Sequence, residues 1–399
     1  MGKLTNQRNM NTLSTLALTL LFSTFFANAQ TSSLRINPNI VLPKDSIESQ
    51  NLTNSLNEFL LYAQKSNEEN KFVFDNEKIE TFIQLDEIYG IEKNRKYNDD
   101  FFYKPYLTNV VLLNDSNYLI QVSYIGTDEN TALLQASFEL IAHKTNNSFK
   151  FSSPLLENTK NWKVLKVGTN IFHYQNTINH DKVKEFNKLT SSFDLKLKST
   201  NKITDIYCCN NFIESQKLFG VDYKADYNGM TEAVWNSSSG DKQLIVIGNS
   251  DPTFKQFDPH DLWHDRLSLV ISRSKVYKPV DEACAYLYGG SWGISWNKIF
   301  QIFKQKVASN KNIDWKEIKE NPLNFGESNA KHLMADYVVN ALIVQKLEKE
   351  KGFNSVWELL TCGKWEKGNE AYYQALEKLT GITKADYNDK IWELITNEK

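Results

Sequence analysis

Several features that would classify this chain quickly are scarce or missing. Four cysteines in 399 residues, Cys208, Cys209, Cys284 and Cys362, are too few for a disulfide scaffold. No two of them form a C-x-x-C pair, which argues against a structural zinc knuckle. In an oxidising compartment they have three possible full pairings, and free, buried thiols are the simpler expectation. Charge of one sign is also lacking. The net charge is −2, and no run of lysine and arginine interleaves with aromatics, so nucleic acid is a poor partner. Beyond the N-terminus no segment is long and apolar enough to span a bilayer. Internal repeats and low-complexity tracts are absent, and there are only six histidines.

What is present suits a folded protein. Hydrophobic residues make up 41 % and aromatics 13 % of the chain, enough for real cores, and the length suggests two domains. The first 29 residues read as a signal peptide. Lys3 and Arg8 give a positive start, Leu13–Ala27 an apolar stretch, and Ala27-Asn28-Ala29 a small-x-small cleavage pattern. The apolar stretch is shorter than the roughly 20 residues of a membrane span. Cleavage after Ala29 is expected, leaving no transmembrane segment and an exported chain, periplasmic or secreted. Loss of Lys3 and Arg8 takes the net charge to −4.

The remainder reads as an α+β protein with two differently built halves. Residues 45–66 predict a helix, with Asp45 as cap, Glu48 completing a capping box, and an apolar stripe through Leu52, Leu56, Phe59, Leu60 and Ala63. Five runs follow, Tyr106–Leu113, Tyr118–Ile125, Thr131–Ala142, Ser148–Ser152 and Trp162–Val167, rich in β-branched and aromatic residues and separated by polar turns. They predict an antiparallel meander, and the pattern resembles the cone-like NTF2-type fold. This α+β domain is expected over 30–180, and a mainly helical domain with a small sheet over 181–399. In the second, Ile203–Cys209 and Gln243–Gly248 read as strands. Trp296–Val307, Ala330–Gly352 and Asn369–Gly381 read as helices, and Thr383 with Asp386 caps a last one. His143, His173 and His180 show no metal-like spacing and read as ordinary histidines.

Two histidines stand apart. In FDPHDLWHDRL, His260 and His264 are four residues apart. Asp258 followed by Pro259 is a strong helix start, so both imidazoles share one helical face. A helix N-terminus disfavours imidazolium, which suits neutral, metal-ready rings. Leu262 turns inward, while Asp265 and Arg266 are solvated or outer groups. Eighteen residues after His264, in VDEACAYLYGG, Glu282 opens a second predicted helix after Pro279. Two histidines and a carboxylate from another helix make a His₂Glu zinc set.

The two motifs together resemble those of the gluzincin zinc peptidases, in particular the peptidase-MA-like branch. There H-E-x-x-H is followed by a glutamate-bearing helix. Glu282, Ala285 and Tyr286 match that second motif, with Ala283 where glycine is common. The likeness covers about residues 203–396, including Gln243–Gly248 as a substrate-lining edge strand and the C-terminal helices. It implies that His260, His264 and Glu282 are zinc ligands and that Asp261, in place of the usual glutamate, is the general base. It also implies an oxyanion donor on a later helix, Tyr337 first and His332 second. The aspartate is one methylene, roughly 1.5 Å, short of a glutamate's reach. A zinc-dependent hydrolase acting on a peptide or protein is expected. A catalytically silent relative binding an envelope partner, and a structural protein with buried histidines, stay open.

Overall fold

The computed structural model describes residues 34–199, 202–326 and 332–398, and the expected signal peptide lies outside them. The described chain is α+β, with thirteen α-helices and eleven strands. It divides into two compact units, Met1–Trp162 with Cys209–Ser250, and Lys163–Cys208 with Asp251–Lys399. The sequence reading sets one boundary at residue 180. The chain instead crosses between units three times.

The first stretch of the first unit runs β1 (Arg35–Ile36), α1 (Ser46–Tyr62), α2 (Lys78–Ile88), β2 (Lys104–Asn114), β3 (Asn117–Asp128), β4 (Thr131–Lys144), β5 (Phe149–Ser152) and α3 (Leu155–Thr159). Strands β2 to β5 form the antiparallel meander that their apolar runs and polar turns predict, and β1 adds in parallel to β2. Asp45 caps α1 by accepting the Ile47 and Glu48 amides. Glu48 does not complete a capping box. Its carboxylate accepts instead from the Tyr118 hydroxyl and the Lys144 ammonium, each at 2.6 Å, and ties the helix to the sheet. Leu52, Leu56, Phe59 and Leu60 are buried as their helical spacing requires, with Phe59 against Phe151. His143 is stacked on Phe74 at 3.9 Å and hydrogen-bonded to Ser152.

The second unit begins with β6 (Lys163–Val167), β7 (Asn170–Tyr174), α4 (His180–Leu197) and β8 (Ile203–Cys208). β6 and β7 make a hairpin, and α4 is the crossover to β8, which lies parallel to β7. The chain then returns to the first unit as α5 (Phe212–Leu218), β9 (Val221–Lys224), β10 (Val234–Ser239) and β11 (Lys242–Ile247). β9 joins the meander sheet along β4, while β10 and β11 pair with each other across Gly240-Asp241.

The rest of the second unit is helical: α6 (Pro259–Ser268), α7 (Lys278–Gly289), α8 (Trp296–Lys306), α9 (Trp315–Glu320), α10 (Ala335–Lys351), α11 (Phe353–Leu360), α12 (Glu370–Thr380) and α13 (Tyr387–Asn397). Gly352 and Gly381 end α10 and α12 in backbone regions that glycine adopts without strain. The core closes round Trp263 of α6, fully buried against Phe193, Tyr288 and Phe353. Arg266, read from sequence as a solvated or an outer group, is 2 % exposed and makes a fork with the Asp194 carboxylate at 2.7 and 2.8 Å. That buried pair fastens α6 to α4. α10 starts at Ala335, later than its apolar pattern suggests, because Met334 is extended and bridges to Asn324. Thr383 and Asp386 do exchange capping hydrogen bonds, yet α13 begins one residue beyond them. The cysteines form no disulfide, and three of the four are buried. No helix among the described residues is long and apolar enough to cross a membrane.

Candidate metal centre

All parts of the centre belong to the second unit. Asp258 has extended backbone and its carboxylate accepts the His260 amide at 2.9 Å, so α6 starts where Asp258-Pro259 predicts. His260 and His264 then lie one turn apart on the same face. α7 brings Glu282 to them. The approach of the two helices is set by Gly289, where a Cβ atom would stand 2.5 Å from both the Pro259 carbonyl carbon and the His260 nitrogen. No side chain fits there.

Three donor atoms converge as a result. Nε2 of His260 and Nε2 of His264 are 3.2 Å apart, and Oε2 of Glu282 lies 3.4 and 3.6 Å from them. Two atoms bound to zinc at about 2.0–2.2 Å with a tetrahedral angle between them are roughly 3.3–3.6 Å apart. The triangle therefore has the size that a tetrahedral zinc ion requires on one of its faces. The donors are also aimed. Nδ1 of His260 faces the Gly290 carbonyl at 2.8 Å, and Nδ1 of His264 faces the Asp281 carboxylate at 2.9 Å. Those oxygens accept, so both Nδ1 atoms donate, and each ring, once its Nε2 proton is lost, turns that lone pair toward the other ring and Glu282. The side chains of all three are 11–15 % exposed.

Behind the triangle stands a layer that the sequence did not reveal. Asp281 accepts from His264, from the Trp263 indole and, through its other oxygen, from Arg273 Nε at 2.9 Å. Arg273 reaches on to Oε1 of Glu282 at 3.2 Å, leaving Oε2 for the centre. Adjacent helical residues diverge by about 100°, so nothing in the spacing marked Asp281 as a partner of His264.

Electrostatics corrects one expectation. Burial and the helix start work against imidazolium, but hydrogen bonds to Glu282 and Gly290 leave His260 raised. Those from Asp281 and Glu282 lift His264 to about 9 despite burial. Glu282, although buried, is held well below the usual carboxylate range by the two histidines. The cluster thus carries protons that a metal ion would displace.

A cleft of about 420 Å³ opens over the centre, lined by Asp258, His260, Asp261 and Glu282 and by Tyr286, Trp292, His332 and Tyr337 among others. Asp261 sits on the rim, exposed, its pKa raised by burial of the carboxyl against the cleft and by neighbouring Asp258. Tyr337 packs edge-on against Tyr286 at 5.7 Å, and its hydroxyl makes no hydrogen bond among the described residues. Burial raises its pKa, so it remains a donor at neutral pH. His332 is exposed beside it, with Nδ1 at 3.2 Å from the Asn324 amide. Of the residues singled out by sequence, His260, Asp261, Glu282, Tyr337 and His332 line this cleft, and His264 stands beside His260 without lining it. Gln243 and its strand belong to the first unit.

No family model, curated protein or solved structure matches the chain. Its function must be read from the centre itself.

Proposed function

We propose that this chain is an exported, zinc-dependent, gluzincin-like hydrolase acting on peptide. The convergence of His260 Nε2, His264 Nε2 and Glu282 Oε2 within 3.2–3.6 Å carries the reading. A zinc ion held there would polarise a carbonyl oxygen and lower the pKa of a bound water. The chain's own residues supply the rest. Asp281 and Gly290 orient the imidazoles, and Arg273 keeps one oxygen of Glu282 turned away. Asp261, with its raised pKa, can take a proton at the cleft rim and give it back to a leaving amine. Tyr337 can donate its free hydroxyl to negative charge developing on the substrate oxygen.

A second reading, a silent relative that binds a peptide or envelope partner without cutting it, is favoured by one observation. Asp261 is exposed at the lip and has the shorter side chain, and a misplacement of about 1 Å can cost on the order of a hundredfold in rate. Metal analysis comes first. Purified protein should carry one zinc per chain, lost in His260→Ala, His264→Ala and Glu282→Ala. Wild type without bound metal under zinc-replete conditions would sink the proposal. Peptide cleavage by wild type, abolished in Asp261→Asn, favours the enzyme. Cleavage seen only in Asp261→Glu favours the silent relative.

A further inference from the structure

The cleft wall facing the metal centre differs in kind from the centre. Tyr286 bridges the two sides, its ring centroid 5.7 Å from that of His260 and 5.7 Å from that of Tyr337. Beyond it lie Trp292 and Met334. The polar atoms of Tyr286 and Trp292 are already engaged. The Tyr286 hydroxyl donates to the His332 carbonyl and accepts from the Met334 amide, both at 3.3 Å. The Trp292 indole N–H donates to the same carbonyl at 3.1 Å. What the wall offers a ligand is therefore ring face and thioether, and no lysine or arginine lines the cleft.

The backbone at Trp292 is unusual as well. Its φ is +54°, in the left-handed region that glycine enters freely and a bulky side chain does not. Glycines stand close by at 290 and 293. At this position the loop carries a large ring at a conformational cost, half exposed and fixed in orientation by its indole hydrogen bond. An exposed aromatic held rigidly beside a reactive centre is a surface to stack on.

We infer that Trp292 and Met334, backed by Tyr286, form a side-chain subsite for a large uncharged residue, aromatic or long aliphatic, next to the peptide bond presented to the metal centre. The inference rests on the peptide-hydrolase reading for what enters the cleft, and names the substrate class. Such a residue loses little by leaving water against the Trp292 ring and the Met334 thioether, whereas an anionic one finds no lysine or arginine in the cleft.

The test uses the full mature chain in an Asp261→Asn background, which prevents turnover. Its ligands are two blocked peptides, acetyl-Ala-Phe-Ala-amide and acetyl-Ala-Ala-Ala-amide, with binding measured by calorimetry and zinc content on the same samples. The phenylalanine peptide should bind roughly tenfold tighter, as burial of a phenyl ring implies. Trp292→Gly relieves the backbone, so it should fold and keep its zinc, yet bring the two affinities within about twofold. Trp292→Phe should retain most of the preference. Equal binding of the two peptides, or a preference unchanged in Trp292→Gly, overturns the subsite. Protein that lacks zinc but keeps the preference overturns the metal reading alone, and zinc-loaded protein without preference overturns the subsite alone.

Discussion

Asp281 Oδ1 lies 2.9 Å from Nδ1 of His264, while the next residue, Glu282, extends Oε2 to within 3.6 Å of Nε2 of the same ring. Consecutive residues of α7 thus grip opposite ends of one imidazole. Loss of an outer partner of this kind typically weakens metal binding 10–100-fold. Asp281→Asn keeps the shape and removes the charge. It should lower zinc affinity by about that factor, read by chelator competition, with one zinc still bound at saturation.

Gly289 sets the distance between the two motif helices. In a helix interior alanine is favoured over glycine by about 1 kcal/mol. Here the added methyl meets backbone atoms of Pro259 and His260 at 2.5 Å, which cannot rotate away. Overpacking typically costs about 1–3 kcal/mol, so the clash should win. Gly289→Ala is expected to lower the urea midpoint and weaken zinc binding together.

The Arg266–Asp194 fork is buried on both sides, with side chains 2 % and 4 % exposed. Removing one member of such a pair leaves a buried charge and costs about 3–5 kcal/mol. Arg266→Met and Asp194→Leu should each destabilise by that amount in chemical denaturation. The double variant should recover most of the loss. Equal destabilisation in single and double variants would show that packing, rather than the stranded charge, sets the cost.

His143 gives a pH dependence with a definite sign. Burial lowers its pKa from 6.5 to about 4. Between those values the unfolded chain binds a proton that the folded chain refuses, so stability falls as pH drops from about 6.5 to 4 and is unaffected above. The full shift corresponds to roughly 3 kcal/mol. His143→Gln can keep a hydrogen bond to Ser152 without titrating. Its stability relative to wild type, from urea unfolding at pH 7 and at pH 4.5, should improve at the lower pH by about 2 kcal/mol.

Local signals in the sequence carried far. Asp258-Pro259 marked the start of α6, histidines at i and i+4 marked a shared face, and alternating β-branched runs marked the meander, because each depends on neighbours in the chain. What was hidden depends on residues distant in sequence. Arg266 is buried because Asp194, 72 positions earlier, meets it. The histidines' pKa values are raised because hydrogen bonds to carboxylates of another helix, and for His260 to the Gly290 carbonyl, outweigh the burial that disfavours imidazolium. Glu48 leaves its own cap for Tyr118 and Lys144 on the sheet. The left-handed backbone of Trp292 has no signature in composition.

The three crossings between units impose an order on synthesis. When residue 208 has emerged, the first unit has its meander but lacks β9, β10 and β11, and the second has only its β6–β8 portion. The first unit can finish at residue 250, before His260, His264 or Glu282 has been made. The second waits for the last helices. A cut at residue 180 would therefore leave two incomplete fragments, and the metal-binding residues come under the control of a chain whose beginning must already be folded or held open.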